Sequence, residues 1–271
     1  MTGDGSPPHE RSASTDRCAA GARPSTDVLV AIPAHDEART IGGCLDAVAV
    51  ALDHARRVGA VGRARVAVAA HRCRDDTATL ARDHLEGRSG IEVVVLEEPA
   101  ELRVGAVRGR LIAHALAASP ALAGDSWILS TDADTIVGRE WVVDLLAAAR
   151  GAGADLVLGL AELDRWDADE EALRTYRELI ESGIHGDAHD HAYAANLAIS
   201  AEAYRAAGGF AAVPHGEEHA LADAVRTLGR RVISPLHPRV VTSARSPGRA
   251  SSGLGDLLGR LSSSRARAAT G

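Results

Sequence analysis

Apolar residues in this chain form two kinds of run, which follow each other in pairs. The first pair lies in "DVLVAIPAHDEARTIGGCLDAVAVALDHAR". Residues 28–32 are continuously apolar and are closed by Pro33, which is typical of a short buried strand. Apolar positions then recur at every third or fourth residue between Ile41 and Leu52, which predicts an amphipathic helix.

The same alternation continues through the first two thirds of the chain. Further strands are predicted at 64–70, 91–97, 126–132 and 154–163, with helices at 75–86, 105–117 and 139–151. The second part is less regular, with helices predicted at 169–183 and 217–229 and strands at 194–200, 230–234 and 239–243. Buried strands that alternate with helices indicate an α/β fold whose mainly parallel sheet is flanked by helices.

The composition narrows the class of protein. The chain has 271 residues, of which 46% are apolar and 25% charged, as in soluble globular proteins. A net charge of −7 argues against a nucleic-acid binder, and the absence of lysine excludes chemistry that needs an amine. No apolar run approaches the roughly 20 residues of a membrane span, and three cysteines without metal-ligand spacing fit reduced thiols. We therefore expect a cytoplasmic protein.

The two ends differ in composition from the middle of the chain. Residues 1–26 are rich in Ser, Pro, Gly and Asp without an apolar period, which predicts a disordered segment. Residues 246–271 are rich in Arg and Ser, and we expect a solvated tail.

Two carboxylates stand at the end of a predicted strand in "ILSTDADTIV". Ligands bind beyond the carboxyl ends of the strands in sheets of this kind. Asp132 and Asp134 supply oxygen ligands that suit Mg²⁺ or Mn²⁺, a cation that shares its remaining positions with phosphates. The alternative is that both aspartates are solvated and cap the next helix.

Six segments in a fixed order carry a family resemblance: "IPAHDE", "DDT", "GAVRGR", "STDADT", "AANLAIS…AGGF" and "HGEEHAL…LG". Together they resemble the family 2 type of glycosyltransferase, which has the Rossmann-like GT-A fold. The resemblance covers residues 27–245, with a nucleotide-binding half at 27–135 and an acceptor half at 136–245. It implies transfer of a sugar, a hexose in the commonest case, from a nucleotide-diphosphate donor to a hydroxyl acceptor.

On the donor side, the resemblance implies that Asp134 binds Mg²⁺ or Mn²⁺ directly and that Asp132 faces the ribose or a metal-bound water. Pro33, Ala34 and Glu37 match the family's first loop, and Glu37 is expected near the nucleoside. Two arginines complete the implied donor site, namely Arg108 near the base or phosphates and Arg245 in a C-terminal loop over the phosphates.

Two positions depart from the family pattern. Asp36 stands where asparagine is usual. Ala70 falls where the family commonly has an aspartate that reads the base, so a uridine donor is in doubt.

On the acceptor side, the resemblance implies that Asn196 binds the transferred sugar or the acceptor. Glu218 falls on the family's general base, which in inverting members takes the proton of the acceptor hydroxyl. Glu217 competes for this role, and both acids also suit the first turn of a helix. His185, His189 and His191 could be read as a metal cluster, but a loop that lines the acceptor site or is solvated is the preferred reading.

The preferred function is thus a metal-dependent, inverting glycosyltransferase that acts on a small molecule or a soluble glycan or lipid precursor. The main alternative is a GT-A-like binding module without catalysis. The sugar, the base and the oligomeric state, a homodimer included, stay open. An aspartyl phosphatase would carry its two aspartates on the first strand, and a hydride-transferring Rossmann enzyme would carry G-x-G-x-x-G there.

Overall fold

A computed structural model of the chain describes residues 25–118, 126–245 and 254–268. Its helices are α1 (Ile41–Arg57), α2 (Thr77–Leu85), α3 (Val104–Ala117), α4 (Trp141–Ala152), α5 (Glu170–Ser182), α6 (Ala201–Ala206), α7 (Glu217–Thr227) and α8 (Leu254–Ala268). Its strands are β1 (Thr26–Ala34), β2 (Val61–His71), β3 (Ile91–Glu98), β4 (Ser126–Ser130), β5 (Thr135–Ile136), β6 (Leu156–Leu158), β7 (Leu160–Leu163), β8 (Ile184–His185), β9 (Ala188–His189), β10 (Leu197–Ser200), β11 (Val232–Ile233) and β12 (Arg239–Thr242).

Seven strands form the central sheet, in the order β11-β6-β10-β4-β1-β2-β3. The pairs β1–β2, β2–β3, β1–β4 and β6–β11 are parallel, whereas β10 runs antiparallel to both β4 and β6. The predicted mixed, mainly parallel sheet is therefore confirmed. The chain adds β2 and β3 on one side of β1 and then β4 on the other, so the order reverses between β1 and β4. Such a reversal opens a crevice at the carboxyl ends of the two strands.

The core has one apolar layer on each face of this sheet. Along β1, Val28, Val30 and Ile32 face the layer formed with α1, α2 and α4. Leu29 and Ala31 face the opposite layer, which includes α3, α6 and α7. Because both faces of β1 are covered, its residues 28–32 are apolar without interruption.

The long strand predicted at 154–163 is two strands in different sheets. The chain leaves the central sheet after β6 and enters a small sheet of order β5-β12-β7. A side chain at Gly159, between them, has no room, because a Cβ there would lie 2.2 Å from Nδ2 of Asn196. Glycine therefore permits the crossing that the apolar pattern alone does not reveal.

Three further features were not predicted. Strand β5 and the hairpin β8–β9 are too short to produce a periodic pattern. Helix α8 lies within the segment expected to be a solvated tail, yet its Leu258 is fully buried. The disordered segment expected at 1–26 and the rest of the tail fall largely outside the described residues. Within the described part, no helix is long and apolar enough to span a bilayer.

Candidate active site

A cavity of about 610 Å³ opens at the carboxyl ends of β1 and β4, where the strand order reverses. This volume is in the range of small-molecule and cofactor sites. Nine of the ten residues expected in the site line the cavity, namely Pro33, Ala34, Glu37, Arg108, Asp132, Asp134, Glu217, Glu218 and Arg245. The structure thus brings together residues that lie up to about two hundred positions apart in the sequence.

Asp132 and Asp134 are turned to the same side by the chain that follows β4. The amide of Thr135 donates to the carbonyl of Asp132 at 3.1 Å, which closes a tight turn. Ala133 between them is buried in the core, and both aspartates line the cavity. Burial raises the pKa of Asp134 to about 6, and the charges of Asp132 and Glu37 add to the rise. This corner of the cavity therefore carries negative charge that attracts a cation.

Glu37 is held at the end of β1 by contacts from two neighbouring segments. Its amide donates to Oγ1 of Thr77 at 2.8 Å, and Oγ1 of Thr40 donates to its Oε2 at 2.8 Å. The preceding Asp36 has a φ of 52°, a conformation that asparagine and aspartate both tolerate better than most residues. The usual asparagine and the aspartate found here therefore meet the same backbone requirement.

Arg108 is a buried cation that lies between the two acidic parts of the cavity. Its Nη2 donates to Oδ1 of Asp132, its Nη1 donates to Oγ of Ser130 at 2.8 Å, and its Nε lies 3.6 Å from Oε1 of Glu217. Burial disfavours the charge, but the attraction of Asp132 and Glu217 outweighs it and keeps the pKa of Arg108 above its usual value. The guanidinium also lies over the ring of Phe210, 5.9 Å from its centroid. Its partners in the structure are Asp132, Ser130 and Glu217, and its expected place near the base or phosphates stays a prediction.

The acid pair lies at the start of α7, directly after Gly216. Glu217 is buried beside Arg108, whereas Glu218 faces the cavity and lies 3.6 Å from Nδ1 of His219. Burial raises the pKa of Glu218 to about 7, and the neighbouring charge of Glu217 contributes to the rise. A carboxylate with a pKa near neutrality is suited to accept and return a proton.

The close approach of α3 to Glu217 depends on a glycine. A Cβ at Gly105 would lie 2.3 Å from the carbonyl oxygen of Ala211 and 2.9 Å from Cβ of Glu217. Gly109, one turn later on the same helix, would have no contact closer than 3.8 Å. The sequence reading missed the contributions of Gly105, Ser130 and Phe210 because each depends on which element packs against α3.

Arg245 reaches the cavity from the chain that follows β12. Its guanidinium donates to both carboxylate oxygens of Glu37, at 3.1 and 2.9 Å, and to Oδ2 of Asp134 at 3.2 Å. The position agrees with a loop that covers the expected phosphate site, and its present partners are the carboxylates.

Asn196 does not lie where the family resemblance implies. Its side chain is fully buried and makes three hydrogen bonds within the protein. Oδ1 accepts from Nε1 of Trp141 at 2.9 Å, and Nδ2 donates to the carbonyls of Leu160 and Pro238 at 2.8 and 2.9 Å. The amide joins the central sheet to the small sheet and has no donor left for a sugar, so the expectation of a sugar- or acceptor-binding role is corrected.

The three histidines of the "HGDAHDH" segment are engaged in different ways. Nε2 of His185 lies 2.8 Å from Asp190, and Nε2 of His191 lies 2.8 Å from the carbonyl of Ile180. His189 is buried and stacks against His191 with ring centroids 5.8 Å apart. Across the described ranges, the only group of three candidate metal ligands within reach of one another is Asp36, Cys73 and Asp75. Those two aspartates already accept hydrogen bonds from backbone amides: Asp36 accepts from Arg74, and Asp75 accepts from Ala38 and Thr77.

Comparison with known proteins supports the fold. No protein-family model and no curated protein sequence matches the chain. Among solved structures, it resembles the mannosyltransferase PcManGT from Pyrobaculum calidifontis in complex with GDP-Man and Mn²⁺ (TM-score 0.61, 17% identity, 84% of this chain and 59% of that chain). It also resembles residues 1–349 of S. aureus TarS in complex with UDP-GlcNAc (TM-score 0.56, 13% identity, 84% of this chain and 61% of that chain).

These likenesses show that the chain has the GT-A fold of nucleotide-sugar transferases. The chain spans about 60% of the length of these two relatives. The identities are low, so the likeness concerns the fold, and activity has to be argued from the site.

Proposed function

We propose that the protein is a metal-dependent glycosyltransferase that moves a sugar from a nucleotide-diphosphate donor to a hydroxyl acceptor with inversion. One observation carries the proposal: a cation-attracting pair, Asp132 and Asp134, and a proton-accepting acid, Glu218, face the same cavity at the strand reversal. The donor complexes of the mannosyltransferase and of TarS support a nucleotide-sugar donor.

The residues at the end of β4 fit a divalent cation. Carboxylate oxygens are the ligands that Mg²⁺ and Mn²⁺ prefer, and one or two carboxylates suffice when phosphates supply the rest. Asp134 is the better direct ligand, because its partner Arg245 is partly exposed, whereas the partner of Asp132 is the buried Arg108. A cation bound there supplies Lewis-acid stabilisation to the departing diphosphate.

Glu218 is proposed as the general base. As the acceptor oxygen bonds to the sugar carbon, the hydroxyl proton passes to the Glu218 carboxylate, and the bond between that carbon and the diphosphate oxygen breaks with its electron pair on the diphosphate. Glu217 is a positioning residue, because its carboxylate lies beside Arg108 and its charge raises the proton affinity of Glu218.

The identity of the donor base follows less directly from the site. Ala70, the next-to-last residue of β2, carries no carboxylate, and His71, the last residue of that strand, lines the cavity. A nucleobase bound at the end of β2 would contact the ring of His71 and the neighbouring backbone.

We propose a hexose as the sugar and a small molecule or a soluble glycan or lipid precursor as the acceptor. The domain boundaries and the cytoplasmic location stay predictions.

Calorimetric binding tests the donor site. UDP, GDP, ADP and TDP are titrated with Mn²⁺ and with EDTA into the wild type and into Asp134→Asn. We expect one nucleotide to bind with Mn²⁺ and not with EDTA, and we expect this binding to be lost in the variant. Absence of binding to all four would reject the transferase and favour a binding module without catalysis.

A further inference from the structure

The guanidinium of Arg245 lies where a cation is expected. It forms a two-point contact with Glu37 and a third contact with Oδ2 of Asp134, the atom best placed to bind the metal. About a third of its side chain is exposed (32%), whereas Glu37 and Asp134 are exposed by 8% and 16%. The partly exposed guanidinium of Arg245 therefore covers two nearly buried carboxylates.

The backbone holds Arg245 in this position. Strand β12 pairs with β5 directly after Asp134, with Thr242 opposite Thr135, and the two hydroxyl oxygens lie 3.0 Å apart. The amide of Ser243 donates to the carbonyl of Asp134 at 3.2 Å. Arg245 follows two residues later, so the register of the small sheet brings its side chain to Asp134.

The two arginines that contact Asp132 and Asp134 are engaged differently. Arg108 is buried beside Glu217 and cannot leave without depriving that buried carboxylate of its partner. Arg245 can withdraw into solvent by rotation of its own side chain. Among the described residues, neither Nε of Arg245 nor Nε of Arg108 has an acceptor, so the difference between the two arginines lies in their exposure.

We propose that Arg245 occupies the cation position in the nucleotide-free protein and leaves Asp134 when a metal and a diphosphate enter together. This inference rests on the proposed function. A metal ion at Oδ2 of Asp134 competes with the guanidinium of Arg245, because the guanidinium lies 3.2 Å from this oxygen and two cations held so close together repel each other. Released from Asp134, the planar guanidinium matches two oxygens of an incoming diphosphate. The metal alone competes with Arg245, whereas the metal with its nucleotide gives Arg245 a new partner.

The test is Mn²⁺ binding without nucleotide, measured by electron paramagnetic resonance of free Mn²⁺. We expect Arg245→Ala and Arg245→Gln to bind Mn²⁺ about fivefold to tenfold more tightly than the wild type, as expected for removal of a partly buried competing cation. Adding Asp134→Asn to Arg245→Ala should abolish this gain. The matched control is Arg103→Ala, which removes another cavity-lining cation and should change Mn²⁺ affinity less than twofold.

A second titration measures nucleotide binding in the presence of Mn²⁺, for which we expect the opposite ranking of the variants and the wild type. For whichever nucleotide binds with Mn²⁺, both Arg245 variants should bind it more weakly than the wild type. A residue that only contacts phosphate would show this second effect without the first. Mn²⁺ affinity in both Arg245 variants that is unchanged within twofold, or weaker, overturns the inference. That result is distinct from failure of the proposed function, which is a lack of metal-dependent nucleotide binding by the wild type. Thermal unfolding verifies that both variants are folded.

Discussion

Arg108 is only 2% exposed, and its guanidinium donates a hydrogen bond to Oδ1 of Asp132 at 2.5 Å. The same side chain lies 3.6 Å from Glu217, so one buried cation links the expected metal site to the acid pair. The donor side and the acceptor side of the cavity therefore share a charged residue in their common wall.

Removal of this cation should destabilise the protein strongly. Arg108→Ala leaves two carboxylates without their partner, and breaking a buried ion pair costs about 3–5 kcal/mol in the free energy of unfolding. The matched control is Arg110→Ala on the same helix, whose ion pair with Glu98 is partly exposed, so its removal should cost much less stability. Urea unfolding measures both, and equal losses in the two variants would contradict a central role for Arg108.

The acid pair predicts a pH dependence of turnover. The base must be ionised, and the pKa of Glu218 is raised to about 7, so activity should rise with pH through about 7. Glu217→Gln removes a negative neighbour and lowers the pKa of Glu218, which should move the acidic limb of the pH profile to lower pH. The measurement is the rate of nucleotide release from the donor between pH 5 and pH 9, in the range where groups of this kind titrate. A limb that stays in place would show that Glu217 does not tune the base.

Two glycines on α3 should respond in opposite directions to the same substitution. Gly105→Ala forces a Cβ to within 2.3 Å of the Ala211 carbonyl and should destabilise the protein by about 1–3 kcal/mol. Gly109→Ala meets only an ordinary contact at 3.8 Å and should stabilise the helix by about 0.5–1 kcal/mol. Gly105→Ala should also slow turnover, because it moves the chain that carries Glu217. Similar stability of both variants in thermal unfolding would argue against tight packing between Gly105 and the carbonyl of Ala211.

Asn196 should matter for stability and not for ligand binding. Asn196→Ala leaves Nε1 of Trp141 and two carbonyls without partners, at a cost of about 2 kcal/mol or more in the free energy of unfolding. At a temperature where the variant is folded, nucleotide affinity measured by calorimetry should stay within twofold of the wild type. Weaker nucleotide binding with unchanged stability would restore a ligand-binding role.

Local patterns predicted most of the strands and helices, because each buried strand and amphipathic helix leaves its own period in the sequence. They could not predict that one apolar run is divided between two sheets at Gly159, since that depends on Asn196, which is 37 positions away. The small strand β5 and helix α8 are likewise defined by what they pack against.

The family resemblance named residues that line one cavity, but it could not predict the protein groups that Asn196 and Arg108 contact. Asn196 and Arg108 both face protein groups that lie more than 20 positions away. A polar residue in a matched motif can face a ligand or the interior, and only the packing distinguishes the two. The double contact of Arg245 with Glu37, across 208 positions, is a tertiary feature of the same kind.

The most direct test of the account is turnover by Glu218→Gln, measured as release of the nucleoside diphosphate from the sugar nucleotide whose base binds with Mn²⁺. Glutamine keeps the shape of the side chain but cannot take the acceptor proton. The account predicts a loss of rate of about 100-fold or more, with metal-dependent nucleotide affinity within twofold of the wild type. A variant that retains the wild-type rate would contradict the assignment of Glu218 as the base, and with it the chemistry proposed for this cavity.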